Sequence, residues 1–216
     1  MHQDPRRREG AGLYALKGWF ATRLRLVREV LVRRGVSPNT ISVAGIVFAA
    51  CAGASLTWMA APVAAIPVTL FLVLRLAAAN LDGSVARETG RQTRWGGVLN
   101  EVGDRVADLV VLAGLLVHVS LPLALGVLLA SSVPSWVSLA GAAVGLRRIN
   151  GGPVGKTERC LLMALAAATG WYTGFAVIVL AGSALTGLVR LKRLAGQHDD
   201  VASGGDRSTT ASPVRA

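Results

Sequence analysis

Cysteine, histidine and aromatic residues are all scarce in this chain, and each scarcity closes off a class of function. The two cysteines, Cys51 and Cys160, have no spacing that would bind a metal or form a disulfide, and both read as small packing residues. His2 and His198 lie in polar termini and His118 falls at the far end of an apolar segment, so no histidine is placed for chemistry with the acidic residues described below. Aromatic residues make up 5% of the chain, too few to stack on bases, so the net charge of +11 does not indicate nucleic acid. No long apolar run follows residues 1–12 at once, and a cleavable signal peptide is not expected.

Apolar residues are abundant. At 52% hydrophobic content and a mean hydropathy of +0.51, the 216 residues suit one membrane domain rather than a soluble globule. Six apolar segments run near 38–59, 63–86, 95–118, 121–146, 157–170 and 171–193. Such segments must satisfy their backbone internally, so the expected fold is an all-α integral membrane bundle of six transmembrane helices. Ahead of it, Leu13, Leu16, Trp19, Phe20, Leu24, Val27, Val30 and Leu31 recur at helical spacing against Lys17, Arg23, Arg25, Arg28, Arg33 and Arg34. That pattern predicts an N-terminal amphipathic helix in the membrane interface. Gly35 to Asn39 break it, with Ser37 as N-cap and Pro38 opening the next helix. The expected organisation is an N-terminal segment at 1–37, the six-helix domain at 38–195 and a disordered tail at 196–216. Nine of the 23 Lys and Arg precede residue 35, and others cluster at 87–94, 147–159 and 190–193. The opposite connections carry none, which puts both termini and the acidic motif on the cytoplasmic side of the cell membrane.

That motif is Asp82-Gly83-Ser84-Val85-Ala86-Arg87, then Gly96 and Gly97, then Asn100, Asp104 and Asp108. The last three are spaced i, i+4, i+8, a ladder of oxygen ligands on one helix face. Asp82 closes the preceding antiparallel helix and can face them. Gly83, Ala86, Gly96, Gly97 and Gly103 allow close backbone approach and room for a ligand. Oxygen-only ligands favour magnesium or calcium-type ions over zinc. Glu101 lies about 100° off this face. Arg75 shares the face of Asp82, in an apolar segment where a lone cation is costly.

The spacing of Asp82, Gly83, Ala86, Arg87, Gly96 and Asp104 resembles the signature of the CDP-alcohol phosphotransferases, integral-membrane enzymes that make phospholipids from CDP-linked donors. The resemblance implies transfer of a phosphatidyl group from a CDP-lipid such as CDP-diacylglycerol to a hydroxyl acceptor, with release of CMP. It implies Mg2+ or Mn2+ on the motif carboxylates, Asp104 as the base, and a homodimer. Arg87 is then placed for the donor's diphosphate, and Gly83, Ala86 and Gly96 give the substrate close approach. Asp104-Arg105-x2-Asp108 with Glu158-Arg159 is most similar to the inositol-phosphate branch, which implies a phosphorylated polyol as acceptor. Lys156 and Arg159 would hold its phosphate, or else belong to an ordinary positive loop. Gly151, Gly155, Lys156 and Thr157 miss the spacing of a nucleotide phosphate loop by one residue.

Two positions depart from the family pattern: Ala79 and Asn100 stand where it has Asp. Asp82, Asn100, Asp104 and Asp108 are the candidate metal ligands, with Asp108 substituting for a missing carboxylate. Arg75 would supply part of the metal's charge by pairing with Asp82 or Asp104. The rival reading is a catalytically silent family member that binds lipid or nucleotide as a regulatory partner.

Overall fold

Proline, glycine and short polar connections divide the chain where the apolar pattern breaks. The computed structural model describes residues 22–206, with side chains described from 22 to 197. Its elements are α1 (Arg25–Arg33), α2 (Pro38–Trp58), α3 (Ala65–Glu88), α4 (Arg94–Ala113), a 3-10 turn (Gly114–Val117), α5 (Leu121–Ala143), α6 (Lys156–Thr169) and α7 (Tyr172–Asp206). No strand occurs among the described residues, so the all-α expectation holds. Ser37 is extended and Pro38 follows it at the start of α2. Thr93 caps α4 by accepting from Gly96 N at 2.9 Å. Gly170, at φ +74°, ends α6 and lets the chain reverse directly into α7.

α2 is the central packing element. A Cβ at Gly45 would sit 3.3 Å from Ala78 on α3, and one at Gly53 would sit 2.7 Å from the Val110 carbonyl on α4. These glycines let three backbones lie closer than side chains would permit. Ala49, Ala52, Leu56, Val68, Leu72, Val111 and Met163 fill the core between α2, α3, α4 and α6. α5 packs on α7, and contacts of α3 with α6 and of α4 with α5 join the two halves.

Four helices are long and apolar enough to cross a membrane: Pro38–Trp58, Ala65–Glu88, Leu121–Ala143 and Tyr172–Gln197. Val47, Ile66, Leu70, Leu129 and Leu185 are exposed on their outer faces, as a lipid solvent requires, and the chain is a membrane protein. The count of six expected from sequence therefore meets four on length and composition. α4 carries Glu101, Asp104, Arg105 and Asp108 along its length. α6 has 14 residues, about 21 Å at 1.5 Å per residue, against a hydrocarbon core of about 30 Å.

α1 covers the described part of the amphipathic segment; Leu13, Leu16, Trp19 and Phe20 lie outside the described residues. Leu24, Leu31 and Val32 pack against Ile41, Leu81 and Val85, so part of its apolar side meets the bundle, while Leu26 and Val27 stay exposed. Arg28 pairs with Glu88 at 2.8 Å and ties α1 to the end of α3. At the other terminus α7 continues to Asp206, past residue 195 where an irregular tail was expected. Residues 207–216 lie outside the described residues.

Because the Val110 carbonyl belongs to helical backbone, it cannot swing aside for a new side chain. Gly53→Val is expected to cost about 1–3 kcal/mol of stability, read as a lowered midpoint of thermal unfolding in detergent.

Candidate active site

α2 begins, α3 ends and α4 and α6 begin at the same end of the bundle, so four helix termini converge on the acidic motif. There a cleft of about 240 Å³, counted with the open space at its mouth, is lined by Ser42, Arg75, Ala79, Asp82, Asn100 and Asp104 among others. Sequence spacing placed Asp82, Asn100 and Asp104 on facing helix surfaces, and the structure brings them to one opening. Asp82 is almost fully buried; its Oδ2 accepts from Ser42 Oγ at 2.8 Å and its Oδ1 from Gly83 N at 2.6 Å. Asp104 is about a quarter exposed, and Lys156 Nζ lies 2.5 Å from its Oδ1. Arg87 is exposed on the last turn of α3, and a Cβ at Gly83 would come 3.3 Å from its Nη1. Gly83 thus leaves the guanidinium free to lie back along the helix toward Asp82. Ala86 and Gly96 are half-buried on either side of the α3–α4 connection.

Asp108 does not join this cleft. It lies one turn deeper, where Arg75 Nη2 donates to its Oδ1 and Arg159 Nη2 to its Oδ2. Arg75, 1% exposed, also reaches the Asp104 carbonyl at 3.4 Å and Cys160 Sγ at 3.5 Å. Two expectations change as a result. Asp108 spends both oxygens on guanidinium groups, so it is not available as the substitute ligand of the ladder. Arg75 pairs with Asp108 instead of Asp82 or Asp104, because it lies seven residues, about 10 Å, deeper along α3 than Asp82. Arg159 is likewise engaged with Asp108 inside the bundle, while Lys156, one turn earlier on α6, faces the cleft.

Several contributors were not evident from sequence. Thr186 on α7 accepts from Val154 N at 3.0 Å, and its Oγ1 lies 2.8 Å from Gly182 O and 3.1 Å from Val154 O as acceptors for its one proton. Arg190 donates to Gly151 O at 2.9 Å and Pro134 O at 2.8 Å. Together they pin the connection that delivers Lys156 and Arg159. Glu101, off the ladder face as its 100° rotation implied, holds Arg105 at 2.9 Å and Arg148 at 2.5 Å. The contacts of Ser42 with Asp82, of Thr186 with Val154 and of Arg190 with Gly151 and Pro134 span 32 to 56 residues and carry no local signal.

Divalent cations such as Mg2+ and Mn2+ need several oxygen ligands, carboxylates foremost. The cleft offers two carboxylates and one neutral amide, with Arg75 in its wall and Lys156 already on Asp104. Among the described residues no three His, Cys, Asp or Glu side chains are grouped to hold a metal ion. These residues do not fit the divalent cations that the sequence resemblance implies. The buried ion cluster has its own signature: Asp108→Asn leaves two guanidiniums sharing no carboxylate and is expected to cost about 3–5 kcal/mol. Adding Arg75→Met to Asp108→Asn should recover part of that loss, measured by thermal or denaturant unfolding of the single and double variants.

Residues 35–189 match the CDP-alcohol phosphatidyltransferase family. The chain is 30% identical over 155 residues to the Escherichia coli inner membrane protein YnbA, covering 71% of this chain and 77% of that protein. It is 30% identical over 161 residues to a phosphatidylinositol phosphate synthase of Streptomyces avermitilis, covering 70% of this chain and 64% of the synthase, a little under two thirds of the relative's length. Among solved structures, the Mycobacterium tuberculosis phosphatidylinositol phosphate synthase with CDP-DAG bound superposes with a TM-score of 0.60 at 27% identity, over 78% of this chain and 91% of that one. The same synthase in complex with manganese and citrate gives 0.59 at 26% identity, over 78% and 87%. The motif on α3 and α4, the fold around it and these matches agree: the chain belongs to the CDP-alcohol phosphatidyltransferase family.

Proposed function

We propose that this protein transfers the phosphatidyl group of a CDP-lipid to a hydroxyl acceptor and releases CMP. The observation that carries this reading is the meeting of Asp82 on α3 and Asp104 on α4 at one cleft, with Gly83 and Arg87 of the family motif beside it. Arg87 binds the donor's diphosphate at the rim, and Gly83, Ala86 and Gly96 keep the approach open. The acceptor hydroxyl enters beside Asp104, whose oxygen not held by Lys156 takes the proton. The acceptor oxygen forms a bond to the phosphatidyl phosphorus as the bond to the CMP oxygen breaks, and CMP leaves with the electron pair. Asp82, fixed by Ser42 and the Gly83 amide, shapes the opposite wall. The donor set of the cleft does not fit Mg2+ or Mn2+.

A phosphorylated polyol fits the acceptor side. Lys156 is poised on Asp104, and Arg105 and Arg148 lie at the same end of the bundle around Glu101. An acceptor phosphate drawing Lys156 away from Asp104 would free that carboxylate for its role as base. Relatives named phosphatidylinositol phosphate synthases support the same choice. In this reading α4 and α6 also cross the membrane, giving six crossings. Successive helices turn back alternately at the motif end and at the far end, where His118 Nε2 lies 2.6 Å from Leu56 O and stacks on Tyr172. The Lys and Arg distribution supports a motif end on the cytoplasmic face of the cell membrane.

The test is CMP release from CDP-diacylglycerol by the purified protein over a panel of polyol phosphates, with and without divalent cation. Release with at least one acceptor is expected, falling about 100-fold or more in Asp104→Asn. Lys156→Gln should raise KM for phosphorylated acceptors more than it lowers kcat. Ala79 and Asn100 favour the second reading, a silent lipid- or nucleotide-binding member. Silence of the natural chain with activity gained by Ala79→Asp combined with Asn100→Asp would establish it. A homodimer belongs to the family resemblance, and chemical cross-linking in native membranes checks it.

A further inference from the structure

The motif cleft contains two features that pull in one direction. Carboxylates are missing at Ala79 and Asn100, and cations are present at Arg75 and Lys156, all four positions bordering the same opening or its mouth. Ala79 lies one helical turn from Arg75, so an Asp there would stand beside a guanidinium that is 1% exposed.

The charges balance without any added ion. Asp82, Asp104 and Asp108 are three carboxylates; Arg75, Lys156 and Arg159 are three cations, and the cluster sums to zero. A site of four carboxylates holding two divalent cations also sums to zero. Placing a divalent cation against Asp104 would require displacing Lys156, which already sits 2.5 Å from Oδ1, and would set it in a cleft whose wall is Arg75. Arg75 Nε is buried without a hydrogen-bond partner, an unspent donor at the cleft wall. Anionic phosphate oxygens are the ligand chemistry such a wall suits.

We infer that this site binds the diphosphate of its nucleotide-lipid substrate without a divalent cation, the positive charge being supplied by Arg75 in the cleft wall and Arg87 at its rim, while Lys156 neutralises Asp104. Arg159 contributes indirectly by sharing Asp108, which leaves Arg75 only partly neutralised. The inference rests on the phosphatidyl-transfer reading and concerns how that site holds its donor.

CDP serves as a soluble probe, titrated by calorimetry into the full chain in lipid nanodiscs, with excess EDTA and then with MgCl2 or MnCl2. The Kd of the natural chain is expected to agree within about two-fold across the three conditions. Arg87→Gln should weaken CDP binding about ten-fold in EDTA, as loss of one charge-assisted contact predicts. Ala79→Asp with Asn100→Asp should bind CDP about ten-fold or more weakly in EDTA than with metal. The comparison on the natural chain needs no variant to fold. A natural chain that loses about ten-fold or more of its CDP affinity in EDTA overturns the inference and leaves phosphatidyl transfer standing. Failure to bind CDP in all three conditions overturns the transfer reading and this inference with it.

Discussion

A single carboxylate shared by two guanidinium groups organises the interior of this protein. Asp108 on α4 receives Arg75 from α3 and Arg159 from α6, and all three are buried. A charge in that environment is tolerable only when paired, so the three helices are held in the one register that lets the groups meet. Asp104 stands one turn above Asp108 and Lys156 one turn before Arg159. The register of the buried cluster therefore sets where the carboxylate and the ammonium of the cleft meet. Stability and chemistry share the same helix faces at different depths.

Around this polar centre the helices associate by close packing. Between membrane helices burial of apolar surface adds little, because lipid is as apolar as a neighbouring side chain, and small residues take over. Gly45 and Gly53 bring α2 against α3 and α4, which closes the floor of the cleft and keeps Ser42 within reach of Asp82. On the other side, Thr186 and Arg190 of α7 grip the connection before α6 and present Lys156 at a fixed height. An irregular backbone segment beside a membrane needs such partners for its carbonyls and amides.

Family membership and site composition point to the same substrate chemistry with a different electrostatic means. The positions that match the family's signature lie on the α3 end and the α4 face that border the cleft, and the two that depart from it, Ala79 and Asn100, line the cleft as well. The carboxylates that remain are balanced by positive side chains rather than by an added ion. A site can be rebuilt in this way while its helices, and hence its overall shape, stay within the family.

Much of the fold was legible in the sequence because it follows from local rules. Apolar runs and Ser37-Pro38 mark helix limits through backbone chemistry that needs no distant partner. The i, i+4, i+8 ladder placed Asn100, Asp104 and Asp108 on one face, and the family spacing singled out Asp82 and Asp104. Depth was the part that spacing could not decide. Asp104 and Asp108 are equivalent on a helical wheel, and only the packing of α3 and α6 against α4 determined that Asp104 opens to the cleft and Asp108 is enclosed by Arg75 and Arg159. Arg75 could be recognised as costly where it lies, but its partner was set by the relative height of two antiparallel helices, a property of the assembled bundle. The contacts of Ser42, Thr186 and Arg190 were invisible for the same reason, since a hydrogen bond across 32 to 56 residues exists only once the tertiary fold has brought its ends together.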